Sequence, residues 1–134
     1  MLQYDVTARR IDAHGSTAAT KQAQIALDTD PGGRQDAFNP AELLLAALAA
    51  CMLKGIERVT PMLRFELRGV EVSVRGLRQD APPLLAEIGY EIIVDTDEED
   101  RRLALLHSNV RKYGTVYNTL AAGVTLTGTL RRKV

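Results

Sequence analysis

Cys51 is the only cysteine in the chain, and it lies inside an unbroken apolar run, Leu43–Leu53. A thiol in such a run has two readings. It is a small hydrophobe, since free cysteine is among the most buried residue types, or it is a shielded nucleophile. The second reading requires a depressed thiol pKa, hence a cation or hydrogen-bond donor nearby. No basic residue shares the helical face of Cys51 within one turn, and Lys54 points toward the helix end. Arg9, Arg10 and Arg111 are the candidates from other segments. Without a second thiol, oxidation of Cys51 stops at a sulfenic acid or runs on irreversibly, so turnover requires an external thiol.

The remaining polar residues make weaker cases. Glu42 is placed to cap a helix. His14 and His107 have no partners at metal-ligand spacing and read as ordinary surface residues. The acidic stretch Asp95–Asp100 reads as a helix start, not a metal site. Pro31-Gly32-Gly33-Arg34 lacks the strand–glycine loop–helix order of a phosphate cradle. One cysteine excludes an internal disulfide and any cysteine-rich zinc site. No metal and no cofactor is expected.

These residues must be positioned by a chain of 134 residues, long enough for one domain with its own core. The 17 basic and 17 acidic residues cancel. No net field or basic stripe exists to draw nucleic acid, and 4% aromatic content provides few stacking platforms. The first residues, Met1–Asp5, show neither the basic nor the apolar region of a signal peptide, so a cytoplasmic location and no membrane partner are expected.

The helix that carries Cys51 has clear start signals. Asn39 suits the N-cap, Pro40 the first helical position, and Glu42 completes an Asn-x-x-Glu capping box. Thr60-Pro61 is read as its end. A helix from Pro40 to about Val59 would be roughly 30 Å long. Its apolar run is too short for a bilayer, which needs about 20 residues. A helix this apolar all round belongs at the centre of a core. Leu44, Ala47, Leu48 and Gly55 share the face of Cys51, and the small residues among them allow another backbone to come close.

Strands flank the helix. Leu2, Tyr4, Val6 and Ala8 alternate with polar residues, and strands are expected over Ser16–Thr20 and Gln22–Asp28, followed by a loop to Asn39. Val70, Val72 and Val74 alternate, Ala81-Pro82-Pro83 interrupts, and Ile88, Tyr90, Ile92 and Val94 resume, as in an antiparallel hairpin. Thr96-x-x-Glu99 predicts a second capped helix with Leu103, Leu106 and Val110 on one face and Gly114 at the C′ position. Val116–Ala122 is ambiguous between a short helical turn and loop. Val124, Leu126, Gly128 and Leu130 form a last strand. The fold class is therefore α+β with a mainly antiparallel sheet.

Two segments resemble the OsmC/Ohr family of osmotically inducible and organic-hydroperoxide-resistance proteins. One is Asn39-Pro40-Ala41-Glu42 with the Ala-rich helix ending in Ala50-Cys51. The other is Tyr113-Gly114-Thr115-Val116-Tyr117-Asn118-Thr119-Leu120. The order of elements also matches over nearly the whole chain. The resemblance implies an OsmC-like fold spanning residues 1–134, with antiparallel sheets wrapped around a long central helix. It further implies an intertwined homodimer with active sites at the subunit interface.

It also implies thiol-dependent peroxidase chemistry on organic hydroperoxides or related electrophiles, with Cys51 as the catalytic thiolate. The family's second cysteine would fall near Gly114-Thr115, where this chain has none. The acid that helps orient an arginine in the hydroperoxidase branch falls at Ala41. Glu42 points about 100° away from that position and does not inherit the role. A small apolar hydroperoxide or ligand, an external thiol reductant and a second copy of the chain are the expected partners. The alternative is a non-enzymatic module that binds an apolar small molecule at the dimer interface, with Cys51 merely lining the pocket.

Overall fold

A computed structural model describes all residues, Met1–Val134. The chain forms two compact units, Met1–Leu44 and Leu45–Val134.

The first unit is a three-stranded antiparallel meander of β1 (Thr7–Asp12), β2 (Gly15–Thr20) and β3 (Ala23–Asp28). The alternation at Leu2–Ala8 predicts β1 too early. Its register runs from Thr7 opposite Ala19 to Asp12 opposite Gly15, and residues before Thr7 have no strand partner. The loop after β3 is organised by Asp28, which is 6% exposed and accepts from the backbone N–H groups of Asp30 and Arg34 at 3.1 Å each. Ser16 and Thr29 join their hydroxyls at 2.8 Å. These bonds satisfy the buried carboxylate and hold the loop without regular structure.

Helix α1 spans Pro40–Leu63. Its start is the reciprocal box expected from the sequence: the Asn39 N–H donates to Glu42 Oε1 at 3.0 Å and the Glu42 N–H to Asn39 Oδ1 at 2.8 Å. Its end corrects the sequence reading, for Pro61 lies inside the last turn. Termination comes instead at Arg64, whose φ of 51° is left-handed. The Phe65 N–H reaches the Thr60 carbonyl at 2.9 Å and the Arg64 N–H the Pro61 carbonyl at 3.2 Å, a Schellman closure. The Arg102 guanidinium adds a 2.7 Å bond to the Leu63 carbonyl, neutralising a helix end that is negative by its dipole.

The second unit contains the sheet β4 (Gly69–Asp80), β5 (Pro83–Asp95) and β6 (Thr125–Arg132), with α2 (Asp100–Tyr113) and α3 (Thr115–Ala121) between β5 and β6. The β4–β5 pair is the expected antiparallel hairpin, whereas β6 lies parallel to β5. The sheets are mainly antiparallel as expected, with β5–β6 the one parallel pair, because the two helices form a crossover that returns the chain in the same direction. A period-2 pattern carries no information about strand direction. The second capping box is also absent. Thr96 donates to the Glu66 carbonyl at 2.5 Å and accepts from the Glu98 N–H, and α2 begins at Asp100.

One face of this sheet is buried. Ile88, Tyr90, Ile92 and Val94 of β5 pack with Leu48, Met52, Ile56 and Val59 of α1 and with Leu103, Leu106 and Val110 of α2. Each fully buried aliphatic side chain contributes about 1.5–3 kcal/mol. Gly55 of α1 faces Val110, where an added Cβ would lie 3.6 Å from Val110 Cγ1, so small residues do bring the two helices close. The helix is not buried on every side as its composition suggested. Ala47, Ala50 and Leu53 are exposed, Leu53 at 37%. No helix is long and apolar enough to cross a membrane.

Candidate functional site around Cys51

Cys51 sits at the seam of α1. Leu48, Met52 and Gly55 beside it are buried, Ala47 and Ala50 are exposed, and the thiol itself is half-buried and free. The helix thus presents the residue at the border between core and surface.

Gly114 is pressed against that sulfur. A Cβ at this position would lie 3.1 Å from Cys51 Sγ, and equally 3.1 Å from Tyr117 Cβ and the Val110 carbonyl oxygen. Gly114 is the corner between α2 and α3, with φ −82° and ψ 117°. Gly114 follows the last residue of α2 as expected, but its backbone is extended and open to any residue, so no left-handed turn requires the glycine. What a side chain at Gly114 would meet is Cys51. The corner is held by the Asn118 N–H on the Gly114 carbonyl at 2.9 Å and the Asn118 side chain on the Lys112 carbonyl at 3.1 Å.

Tyr117 extends the site into the core. Its ring meets Tyr90 edge-on, with centroids 6.3 Å apart at 84°. The Tyr90 hydroxyl lies 2.6 Å from His107 Nε2. Tyr90 is 6% exposed, and Gly128 opposite it in the β5–β6 register leaves room for its ring. Burial pushes the Tyr90 phenol up to about 12, assisted by neighbouring Tyr117 and opposed by the Arg111 cation. His107 is pushed down from its ordinary value, first by burial and then by Arg111. At neutral pH the pair is therefore a phenol and a neutral imidazole joined by one short hydrogen bond. In an ultraviolet titration, one of the four tyrosines should ionise last, near 12, and Tyr90→Phe should remove that step. Loss of a different step would contradict the assignment.

The sequence reading of His107 as a surface residue is therefore wrong. It shares the buried side of α2 with Leu103 and Val110, and Tyr90 shares the buried face of β5 with Ile88 and Ile92. A tyrosine on an apolar face needs a partner for its hydroxyl, and that signal was available. Tyr113, the other tyrosine flanking Gly114, is 54% exposed beneath the Lys112 ammonium, 5.3 Å from its ring centroid. Only Tyr117 joins the site.

The other candidates fall as follows. Arg111 is exposed in the last turn of α2, near Tyr90 and His107. Arg9 and Arg10 lie on exposed β1 in the first unit. Glu42 is the helix cap described above. His14 is exposed and bonds Asp30 at 2.8 Å. Arg34 is held by Asp36 through two bonds of 2.6 and 2.9 Å, with its guanidinium over Gly15. No group of His, Cys, Asp or Glu side chains is arranged to hold a metal ion.

An α+β unit in which one thiol on a long helix meets the corner of a helical crossover defines a class of cysteine-bearing proteins. The family model described as OsmC-like protein matches residues 32–128, and the chain belongs to that family. A hydroperoxide reductase of Mycoplasma pneumoniae is 32% identical over 80 residues, which span 60% of this chain and 57% of that protein. The crystal structure of an OsmC-like protein from Mycoplasma pneumoniae superposes with a TM-score of 0.87 at 26% identity, covering 98% of this chain and 96% of the other. The organic hydroperoxide resistance protein OhrB of Bacillus subtilis shares the fold at a TM-score of 0.65 and 22% identity, covering 96% and 98%.

Proposed function

We propose that this protein is a thiol-dependent peroxidase of organic hydroperoxides or related electrophiles, working through Cys51 alone. The observation that carries the reading is the place of the sulfur. Cys51 is a half-buried residue at the seam of α1 and its sulfur abuts Gly114, in a chain of the family whose relative is named a hydroperoxide reductase. The thiolate attacks the terminal peroxide oxygen. The S–O bond forms, the O–O bond breaks, and an alkoxide leaves. An external thiol then condenses with the sulfenic acid, releasing water, and a second thiol frees Cys51 as the external pair becomes a disulfide. Arg111, one turn before Gly114, is the candidate cation for holding the thiolate.

A second copy of the chain is proposed to cover the exposed apolar face of α1 at Ala47, Ala50 and Leu53, enclosing the sulfur in an apolar pocket. Sedimentation is expected to give twice the chain's mass of 14.7 kDa, and a monomer at micromolar concentration would contradict it. The action is proposed to be cytoplasmic, where thiol reductants are abundant.

The test is hydroperoxide consumption in the presence of a dithiol. Wild-type protein is expected to turn over and Cys51→Ser to fall to the uncatalysed rate. Equal rates in the two would overturn the enzyme reading and favour a binding module in which Cys51 only lines the pocket.

A further inference from the structure

We propose that the outer face of the β4–β5–β6 sheet carries a binding site for a small oxyanion, a carboxylate or phosphate group, centred on Arg75. The site lies on the face opposite the core and does not depend on the chemistry of Cys51.

Alternation along the strands sets the lining. Val72 and Val74 of β4, Tyr90 and Ile92 of β5, and Leu126 and Leu130 of β6 belong to the core, so the residues between them point outward. The register places Arg75 beside Gly89 and Gly89 beside Thr127, with Ser73, Glu91 and Thr129 in the next row. Together they line a hollow of about 410 Å³. Its floor is the bare backbone of Gly89, in the central strand of the sheet. Glycine weakens a strand interior and often marks a place where a ligand or another backbone approaches closely. Nothing in the fold requires this one. Its φ is not left-handed. A Cβ there would meet only Arg75 Nη2 at 3.5 Å and the Thr127 carbonyl oxygen at 3.9 Å, both ordinary contacts. Gly128, by contrast, lies under the Tyr90 ring.

The charges favour an anion. Glu91 is engaged by Arg131 at 3.2 Å. Arg75, unlike Arg78 and Arg131, has no acidic partner within ion-pair distance, and its guanidinium lies against Gly89. An unpaired guanidinium presents a fork of N–H donors that fits the edge of a carboxylate or phosphate. Ser73 and Thr127 add hydroxyl donors from the two flanking strands.

The experiment follows amide and guanidinium NMR shifts while sodium phosphate or sodium acetate replaces sodium chloride, in wild type, Arg75→Gln and Gly89→Val. Constant ionic strength removes general screening. The expected result is saturable shifts at Gly89, Thr127 and the Arg75 Nε–H with at least one of the two anions, and the anion that saturates identifies the group. Affinity should fall about tenfold or more in R75Q, which loses the charged donors. Valine at position 89 fills the hollow, so G89V should lose the shifts at Thr127 and Arg75. It should melt no lower than wild type, since valine suits a strand. Shifts that saturate with neither anion, or equal affinity in R75Q, would overturn the site. Binding retained in G89V would overturn it as well, and a lower melting temperature in that variant would assign the glycine to packing and remove the ground for the site.

Discussion

Gly114→Cys should form a disulfide with Cys51 on mild oxidation, and the bond should stabilise the fold by about 3–5 kcal/mol. The expectation follows from one distance. A Cβ on Gly114 would lie 3.1 Å from Cys51 Sγ, and a disulfide with its S–S bond of about 2.04 Å sets each Cβ about 3 Å from the partner sulfur. The backbone at Gly114 is extended and accepts a side chain. The reduced variant should lose a little stability, since the new Cβ also crowds Tyr117 and the Val110 carbonyl. Chemically, the variant gains a resolving thiol: its second sulfur attacks the sulfenic acid at Cys51 and expels water. Intact mass before and after reduction, with urea unfolding of both forms, checks this. Two free thiols after oxidation would contradict the geometry.

Gly128→Ala should destabilise the protein by about 1–3 kcal/mol, and by more if the Tyr90 hydroxyl is left without a partner. Gly128 faces Tyr90 in the parallel β5–β6 register, and any Cβ there overlaps the ring. Backbone cannot yield easily in the middle of a ladder, so the ring must move and the 2.6 Å bond to His107 must break. A glycine within a strand otherwise weakens it, and this one is explained by what lies over it. In a Tyr90→Leu background the same substitution should cost less, with a coupling of about 0.5–3 kcal/mol. Urea unfolding of the four variants measures it. Additive costs would mean that the ring and the glycine are independent.

Much of the fold was legible in the sequence because local chemistry specified it. Asn39 and Glu42 announce the start of α1, and the alternation through Ile88–Val94 announces the buried face of β5. What was not legible depends on partners distant in the chain. β1 begins only where Ala19 is available to pair with Thr7. Pro61 stays helical because the closure at Arg64 and the Arg102 guanidinium define the end. The parallel placement of β6 depends on the path of the crossover. Of the site, Cys51 was evident as the only thiol. Its contact with Gly114 was reachable through family resemblance and not from any local pattern, since α1 and the α2–α3 corner are brought together by the core. Tyr90 and His107 were legible in principle, as polar residues on two apolar faces.

The most direct measurement is the intact mass of reduced protein against time after mixing with a small excess of an organic hydroperoxide. Rapid addition of one oxygen atom, abolished in Cys51→Ser and reversed by an added thiol, is the predicted result. An unchanged mass over hours, with the protein folded and the thiol still free, would make Cys51 a packing residue and contradict the central claim.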